Sequence, residues 1–313
     1  NADNERIKFN RSKIYERLEF IEPPINFKSK VPWRVQLQIA ATNGIHYVDT
    51  IGKLSDYPTY DLPVPSVTEE KLMLDIGCGW GRWLYAGAAK GYIPIGVDLR
   101  IEFCETALKV LKEQNVKGYS IVADLENLPF KDNVFDFIWS FSVIQHTHQE
   151  RLENCLKHIN RLLNEGGFTC LEFPNKKGFR NSRGPVKKSE KTKDDYNSWV
   201  VRYYTPQEYK QFFERYLSNF DYRVHSFLGI GVLKEDLKYV TFKNKVLCAA
   251  SLLLTGASKL IPSMQSYANN LYINDRKKTS EIDPINHASS FLLAHHKNPD
   301  DNLNLIHLIK CPK

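Results

Sequence analysis

From Lys71 onward, short apolar runs alternate with longer stretches in which apolar positions recur every three or four residues. Runs of the first kind, bounded by turn residues, predict buried strands; the second kind predicts amphipathic helices. Strands are expected over 72–76, 93–98, 119–123, 135–140 and 168–173, with helices over 81–90, 102–114 and 149–163, the last ending at Gly166-Gly167. Such alternation implies an α/β fold, a mostly parallel sheet with helices on both faces. Further on, Thr205-Pro206-Gln207-Glu208 has the order of a helix start, with Thr as cap, Pro in the first turn and Glu three residues after the cap. That helix is expected to reach Tyr216. Residues 222–227 alternate like a strand, 246–260 form an apolar helical stretch, and 270–275 supply the last strand.

Residues 1–70 have a different texture. Ile14, Leu18 and Ile21 share one helical face, after which Pro23-Pro24, Pro32, Pro58, Pro63 and Pro65 exclude long helices. This region is expected to be a helical, proline-rich extension ahead of a main domain over 71–278. Residues 279–302 are polar and suggest a linker, and no internal repeat is present.

The 313 residues, 42% of them hydrophobic, suffice for a sizeable core. No apolar run reaches the ~18 residues of a membrane span. The longest, 246–258, is followed by Lys259 and is expected to be a packed helix, with an interfacial role as the alternative and peripheral membrane contact left open. The N-terminus shows no signal-peptide pattern. Six scattered cysteines suit reduced, buried thiols in a cytoplasmic protein. Net charge is +7, and the excess is local: Lys176, Lys177, Arg180, Arg183, Lys187, Lys188, Lys191 and Lys193 crowd one segment.

The chemistry begins at Leu72-Met73-Leu74-Asp75-Ile76-Gly77-Cys78-Gly79-Trp80-Gly81, where an apolar strand runs into an acid and then into three glycines spaced by two. Glycine tolerates positive φ and carries no Cβ, so a flat ligand can lie against bare backbone. Gly96-Val97-Asp98 closes a second apolar strand, Ala123-Asp124 a third, and Phe135-Asp136-Phe137-Ile138-Trp139-Ser140 forms a fourth. The series resembles the class I S-adenosylmethionine (SAM) dependent methyltransferases over roughly residues 70 to 278. The resemblance implies a doubly wound, mostly parallel seven-stranded sheet closed by an antiparallel strand, and SAM as cofactor. A nicotinamide-binding domain wants G-x-G-x-x-G; here Gly81 comes one residue early and Arg82 holds the expected glycine position.

Asp98 stands 21 positions after Gly77, near the roughly 20-residue interval of a βαβ unit that brings a carboxylate to a ribose diol. The resemblance places Asp124 against the adenine amino group, with Leu125 beside it, and Asp75, Gly77, Cys78 and Gly79 around the methionine moiety. Leu99 and Ser140 complete the expected cofactor site. The segment from Ser140 to His148 leaves the fourth strand at the edge where substrates bind in open α/β sheets. His146 is the candidate general base, since imidazole titrates near neutral pH; its alternative role is to cap or pack beneath the site. His148, Glu172, Tyr203 and Tyr204 are further base candidates. Gln145, His148, Tyr203, Tyr204, Arg180 and Arg183 are expected to meet substrate, the arginines as part of a basic lid over 175–200 whose alternative is a solvated loop.

These features lead to the expectation of a SAM-dependent O-methyltransferase acting on a small-molecule or glycan acceptor, including an anionic sugar. A nucleic-acid acceptor is not expected. Methylation of a quinone-like lipid or RNA, or a non-catalytic SAM-binding adaptor, are the alternatives. No catalytic metal is expected. The tail Leu303-Asn304-Leu305-Ile306-His307-Leu308-Ile309-Lys310-Cys311-Pro312-Lys313 resembles the start of a zinc ribbon, yet Cys311 alone cannot supply the four ligands of structural zinc.

Overall fold

A computed structural model describes residues 21–43, 45–147, 149–181 and 201–277. Ile14 and Leu18, most of the basic segment with Arg183, His148, the expected linker and the tail with Cys311 lie outside those residues. The chain forms two compact units, one of residues 1–61 and 230–248, the other of 62–229 and 249–313.

Within the first unit, helix α1 (Trp33–Asn43) and a 3₁₀ turn over Ile45–Thr50 are joined to residues 230–248 by a buried polar cluster. The Tyr47 and Tyr60 hydroxyls both donate to Asp236 Oδ1, at 2.5 and 2.9 Å, while the Leu233 N–H donates to Oδ2 at 2.8 Å. Asn43 Nδ2 donates to the Tyr60 hydroxyl at 2.6 Å. A buried carboxylate is tolerated when its lone pairs are filled in this way. The return of residues 230–248 to this unit has no counterpart in a linear reading of 1–70 as an extension.

The second unit is built on a seven-stranded sheet of order β3-β2-β1-β4-β5-β7-β6. Its strands are β1 (Lys71–Ile76), β2 (Tyr92–Asp98), β3 (Tyr119–Val122), β4 (Phe135–Phe141), β5 (Leu163–Pro174), β6 (Asp221–Ser226) and β7 (Asn270–Arg276). The first five pair in parallel, and β7 enters antiparallel between β5 and β6. This is the α/β, mostly parallel, seven-stranded sheet of the class I methyltransferase type, including its antiparallel strand.

Helices α2 (Arg82–Ala89) and α3 (Ile101–Glu113) pack on one face. Met73 of β1 lies so close to Gly87 that a Cβ there would meet its sulfur at 2.4 Å. On the other face α4 (Gln149–Leu162) and α5 (Pro206–Tyr216) bury Leu156, Ile159, Tyr209 and Phe213 against Leu74, Ile76, Ile138 and Leu171. The last helix, α6 (Phe242–Leu260), begins in the residues of the first unit and ends in those of the second. Among the described residues no helix is long and apolar enough to cross a membrane.

One boundary departs from expectation. The helix expected over 149–163 stops at Leu162, but β5, expected from 168, already starts at Leu163, which pairs with Phe135. Gly166 and Gly167 lie inside the strand, where the register shifts between Phe135 and Phe137. A Cβ on Gly167 would approach the Phe135 carbonyl oxygen to 3.0 Å, so these glycines serve an irregular strand pairing.

The start of α5 follows its sequence signature. Thr205 Oγ1 accepts from the Glu208 N–H at 3.2 Å, and the Glu208 carboxylate accepts from the Thr205 N–H at 2.7 Å. Thr205→Ala removes one half of this reciprocal pair and is expected to lower unfolding free energy by about 1 kcal/mol. Chemical denaturation of the variant beside the parent chain measures the difference.

Candidate active site

The carboxyl ends of the parallel strands converge where β1 leaves the sheet between β2 and β4. Gly77 turns the chain with φ +79°, and its N–H and that of Cys78 both donate to the Val97 carbonyl, at 2.8 and 3.0 Å. A Cβ on Gly77 would sit 2.2 Å from Val143 of the loop after β4. Only glycine therefore lets the two crossing loops approach this closely. Asp98, ending β2, fixes the far side of the turn: its Oδ2 accepts from the Gly79 N–H at 3.0 Å and its Oδ1 from the Arg100 N–H at 3.1 Å. Burial lifts the Asp98 carboxyl to about 6, although those N–H donors pull it down.

Asp75 is the most demanding group in this crevice. It is fully buried, and neither carboxylate oxygen has a hydrogen-bond partner among the described residues. Burial raises its carboxyl to about 8, with Arg82 opposing the rise and Asp98 adding to it. Polar atoms left this way fit a ligand that brings donors or positive charge to them.

Other expected cofactor residues have divided roles. The Cys78 side chain lies beneath Gly96 and 3.5 Å from the Ser120 hydroxyl, so its main chain alone borders the loop. Ser140 Oγ donates to the Ile76 carbonyl at 3.0 Å and ties β4 to β1. Leu99 is 65% exposed beside Asp98, free to cover a flat ring. Asp124 accepts from the Glu126 N–H at 3.0 Å and pairs with Arg151 at 3.2 Å, while Leu125 packs against the main core.

Of the expected substrate residues, Gln145 and His146 lie in the 3₁₀ turn Ile144–His146 directly after β4. Gln145 Oε1 is buried without a hydrogen-bond partner among the described residues. The Gln145 and His146 carbonyls accept from the Arg202 N–H and guanidinium at 2.9 and 2.6 Å, which anchors the turn from below. Tyr204 departs from its expected role, since its ring packs edge-on against Tyr209 and Phe212. Tyr203 follows Arg202 in this segment without a contact that assigns it a part. Arg180 is also engaged elsewhere: its guanidinium donates to the Leu228 carbonyl at 3.2 Å and its N–H to Asn269 at 2.9 Å.

Register brings together a group of residues that the sequence pattern left scattered. Asp75 pairs with Trp139, Phe141 with Glu172, and Glu172 with Tyr272, so these side chains share the α2 face of the sheet. His225 of β6 lies 4.4 Å from the Tyr272 ring and 5.2 Å from Phe141. Arg82, the first residue of α2, sits 4.8 Å over Phe141. Glu172 accepts from Ser142 and Asn270, each at 2.6 Å; burial raises its carboxyl while these donors pull it down. Burial, then Arg82 and Arg223, push His225 down to about 3, so the imidazole is neutral at physiological pH. The result is a cluster of aromatic rings with Arg82 over Phe141 and Arg223 over Tyr272, next to Asp75. Glu172 was foreseen only as a base candidate, and the others could be found only through strand pairing. Among the described residues no group of His, Cys, Asp and Glu could hold a metal ion.

Residues 73–167 match the family model of a methyltransferase domain, and the seven-stranded sheet that contains them has the class I, SAM-dependent methyltransferase fold. The chain is similar to the tRNA (carboxymethyluridine(34)-5-O)-methyltransferase of Saccharomyces cerevisiae, 34% identical over 99 residues, which are 31% of this chain and 33% of that protein. It is also similar to the ubiquinone biosynthesis O-methyltransferase of Rickettsia akari, 34% identical over 89 residues, 28% of this chain and 35% of that protein. The match thus spans about a third of each relative's length. Among solved structures, phosphoethanolamine N-methyltransferase 2 of Haemonchus contortus in complex with SAM aligns with 20% identity and a TM-score of 0.47, covering 87% of this chain and 58% of that one. The relatives lend no support to a carbohydrate acceptor. Nor do they support excluding nucleic acid, since one of them is named for its action on tRNA.

The Asp75 carboxyl gives the crevice a testable proton linkage. Its pKa is raised on folding, from 3.8 to about 8, so the ligand-free fold binds the extra proton and loses stability as pH rises between those values. A cation placed beside Asp75 favours the ionised form and expels that proton. SAM affinity is therefore expected to increase from about pH 6 to about pH 8, by up to about tenfold per pH unit, and to level off above. Calorimetric titrations in buffers of different ionisation enthalpy measure the released proton, and Asp75→Asn is expected to flatten the slope.

Proposed function

We propose that the crevice binds SAM with its ribose diol at Asp98, its amino group at Asp75 and its adenine between Leu99 and Asp124, and that a methyl group passes to a hydroxyl of a small acceptor held in the recess lined by Phe141, His225 and Tyr272. The observation that carries this reading is Asp75, whose buried oxygens lie beside the glycine turn without protein donors. The bound cofactor supplies an electrophilic methyl on a sulfonium. The residues around it supply alignment and exclusion of water, the main contributions a protein can make to an in-line displacement.

Arg82 and Arg223 make the recess favourable to an anionic acceptor, since their field acts with burial to keep His225 neutral. Phe141 and Tyr272 each have an arginine over the ring, Arg82 at 4.8 Å and Arg223 at 5.4 Å. His146, on the turn between the two subsites, takes the acceptor proton in this reading. Glu172 has a positioning part: its two oxygens hold Ser142 and Asn270 and so shape the recess floor.

Asp98→Ala is expected to weaken SAM binding at least about tenfold, the loss of two hydrogen bonds to a charged acceptor. In a label-transfer assay over small-molecule, lipid and RNA fractions, the small-molecule fraction is expected to take up methyl. His146→Ala is expected to lower kcat with SAM affinity unchanged. Unchanged turnover in that variant removes His146 as the base, and label appearing only in RNA removes the small-molecule acceptor.

A further inference from the structure

Helix α6 carries an apolar line on its exposed face as well as apolar residues on its packed face. At 100° per residue, Ala249, Leu253, Gly256 and Leu260 fall within about 40° of a common line along the helix, and all four are exposed. Leu253 is 76% and Leu260 85% accessible, with Leu252 at 49% on the flank. The opposite face mixes apolar and polar side chains: Cys248 is buried with Val232 and Val240, and Leu254 packs against Phe227, Ala268 and Leu271. Ser251 is buried, accepting from the Leu228 N–H at 3.2 Å and bonding the Ser226 hydroxyl at 3.3 Å. Ser258 is buried too, its hydroxyl turned back to the Thr255 carbonyl at 2.8 Å.

A surface helix of a water-soluble domain ordinarily turns its leucines inward. Here Leu254 packs inward while Leu252, Leu253 and Leu260 lie outside, so burial against the sheet is not the reason for the outer leucines. The apolar surface continues past the helix through exposed Ile261 and Tyr267. Earlier turns repeat the pattern, with Phe242 and Val246 exposed on the same line.

Charge selects the occupant. The sequence of α6 contains Lys243, Lys245 and Lys259 and no acidic residue, and all three lysines are exposed on the flanks of the apolar line. An apolar strip edged by lysines, on a chain of net charge +7, complements a bilayer with anionic headgroups: leucines enter the acyl boundary while ammonium groups stay at phosphate level. A second copy of the chain meeting this face by two-fold symmetry would bring the same lysines against each other, which opposes the contact. We infer that the exposed face of α6, with Ile261 and Tyr267, docks the protein on an anionic phospholipid surface.

The inference is independent of the methyl-transfer reading, because it rests on a face that takes no part in the cofactor crevice. It does have a link to the recess. The 3₁₀ turn Pro262–Tyr267 leads from α6 directly to Asn270, which bonds Glu172 at the recess floor.

The test is flotation of the full chain with vesicles of phosphatidylcholine and phosphatidylglycerol, and with vesicles of phosphatidylcholine alone. Binding to the mixed vesicles is expected, with loss at high salt and much weaker binding to the neutral ones. Leu253→Glu and Leu260→Glu, both at exposed positions, are each expected to weaken partitioning by roughly tenfold or more. Circular dichroism and SAM affinity should stay at parent values in both variants. Three outcomes would overturn the inference: no flotation of the parent chain, as when another segment of the chain covers the face; equal flotation of parent and variants; or a dimer in light scattering that the variants dissociate without any vesicle binding.

Discussion

Removing a carboxylate from water without giving it a partner costs several kcal/mol, and the second unit keeps Asp75 in that condition at the centre of its sheet. The neighbouring architecture follows from it. The glycine turn directs its N–H groups to Val97 and Asp98, leaving Asp75 without donors from that side. Arg82 offsets part of the cost through space, and protonation offsets more. A buried acid left without donors in this way suits a cation, whose arrival favours the ionised form and lets the proton leave.

Close approach of two loops is the second element of the design. Gly77 and Val143 occupy space that one further methyl group would make impossible. That contact brings the turn after β4, with Gln145 and His146, next to the loop after β1. Arg202 holds the turn from beneath by its main chain and guanidinium. The glycine turn and the aromatic cluster after it are therefore neighbours because the backbones nearly touch, with Asp75 and Trp139 in register between them.

Much of this was legible in the sequence, and for definite reasons. Buried parallel strands are apolar on both faces, so β1, β2 and β4 stood out as continuous runs. The cap at Thr205 announced α5 through a local hydrogen-bond pattern. The start of β5 was misplaced because Leu163 suits a helix and a strand equally, and only its pairing with Phe135 decides. Asp98 was legible through its distance from Gly77. Arg82, His225 and Tyr272 were not, since they meet through the register of β7 against two other strands, which no local spacing encodes. The same holds for the Tyr47–Asp236 contact, whose partners are 189 residues apart.

The position of β7 also bears on how the chain is made. Among the described residues strand β6 pairs only with β7, and β7 lies later in the sequence. At a ribosomal rate of about 5–20 residues per second, β6 waits a few seconds for the strand that joins it to the sheet. During that interval the glycine crevice, formed from β1, β2 and β4, has all its strands while His225 and Tyr272 have yet to meet. The glycine crevice is thus complete in its strands before the antiparallel edge of the sheet can close.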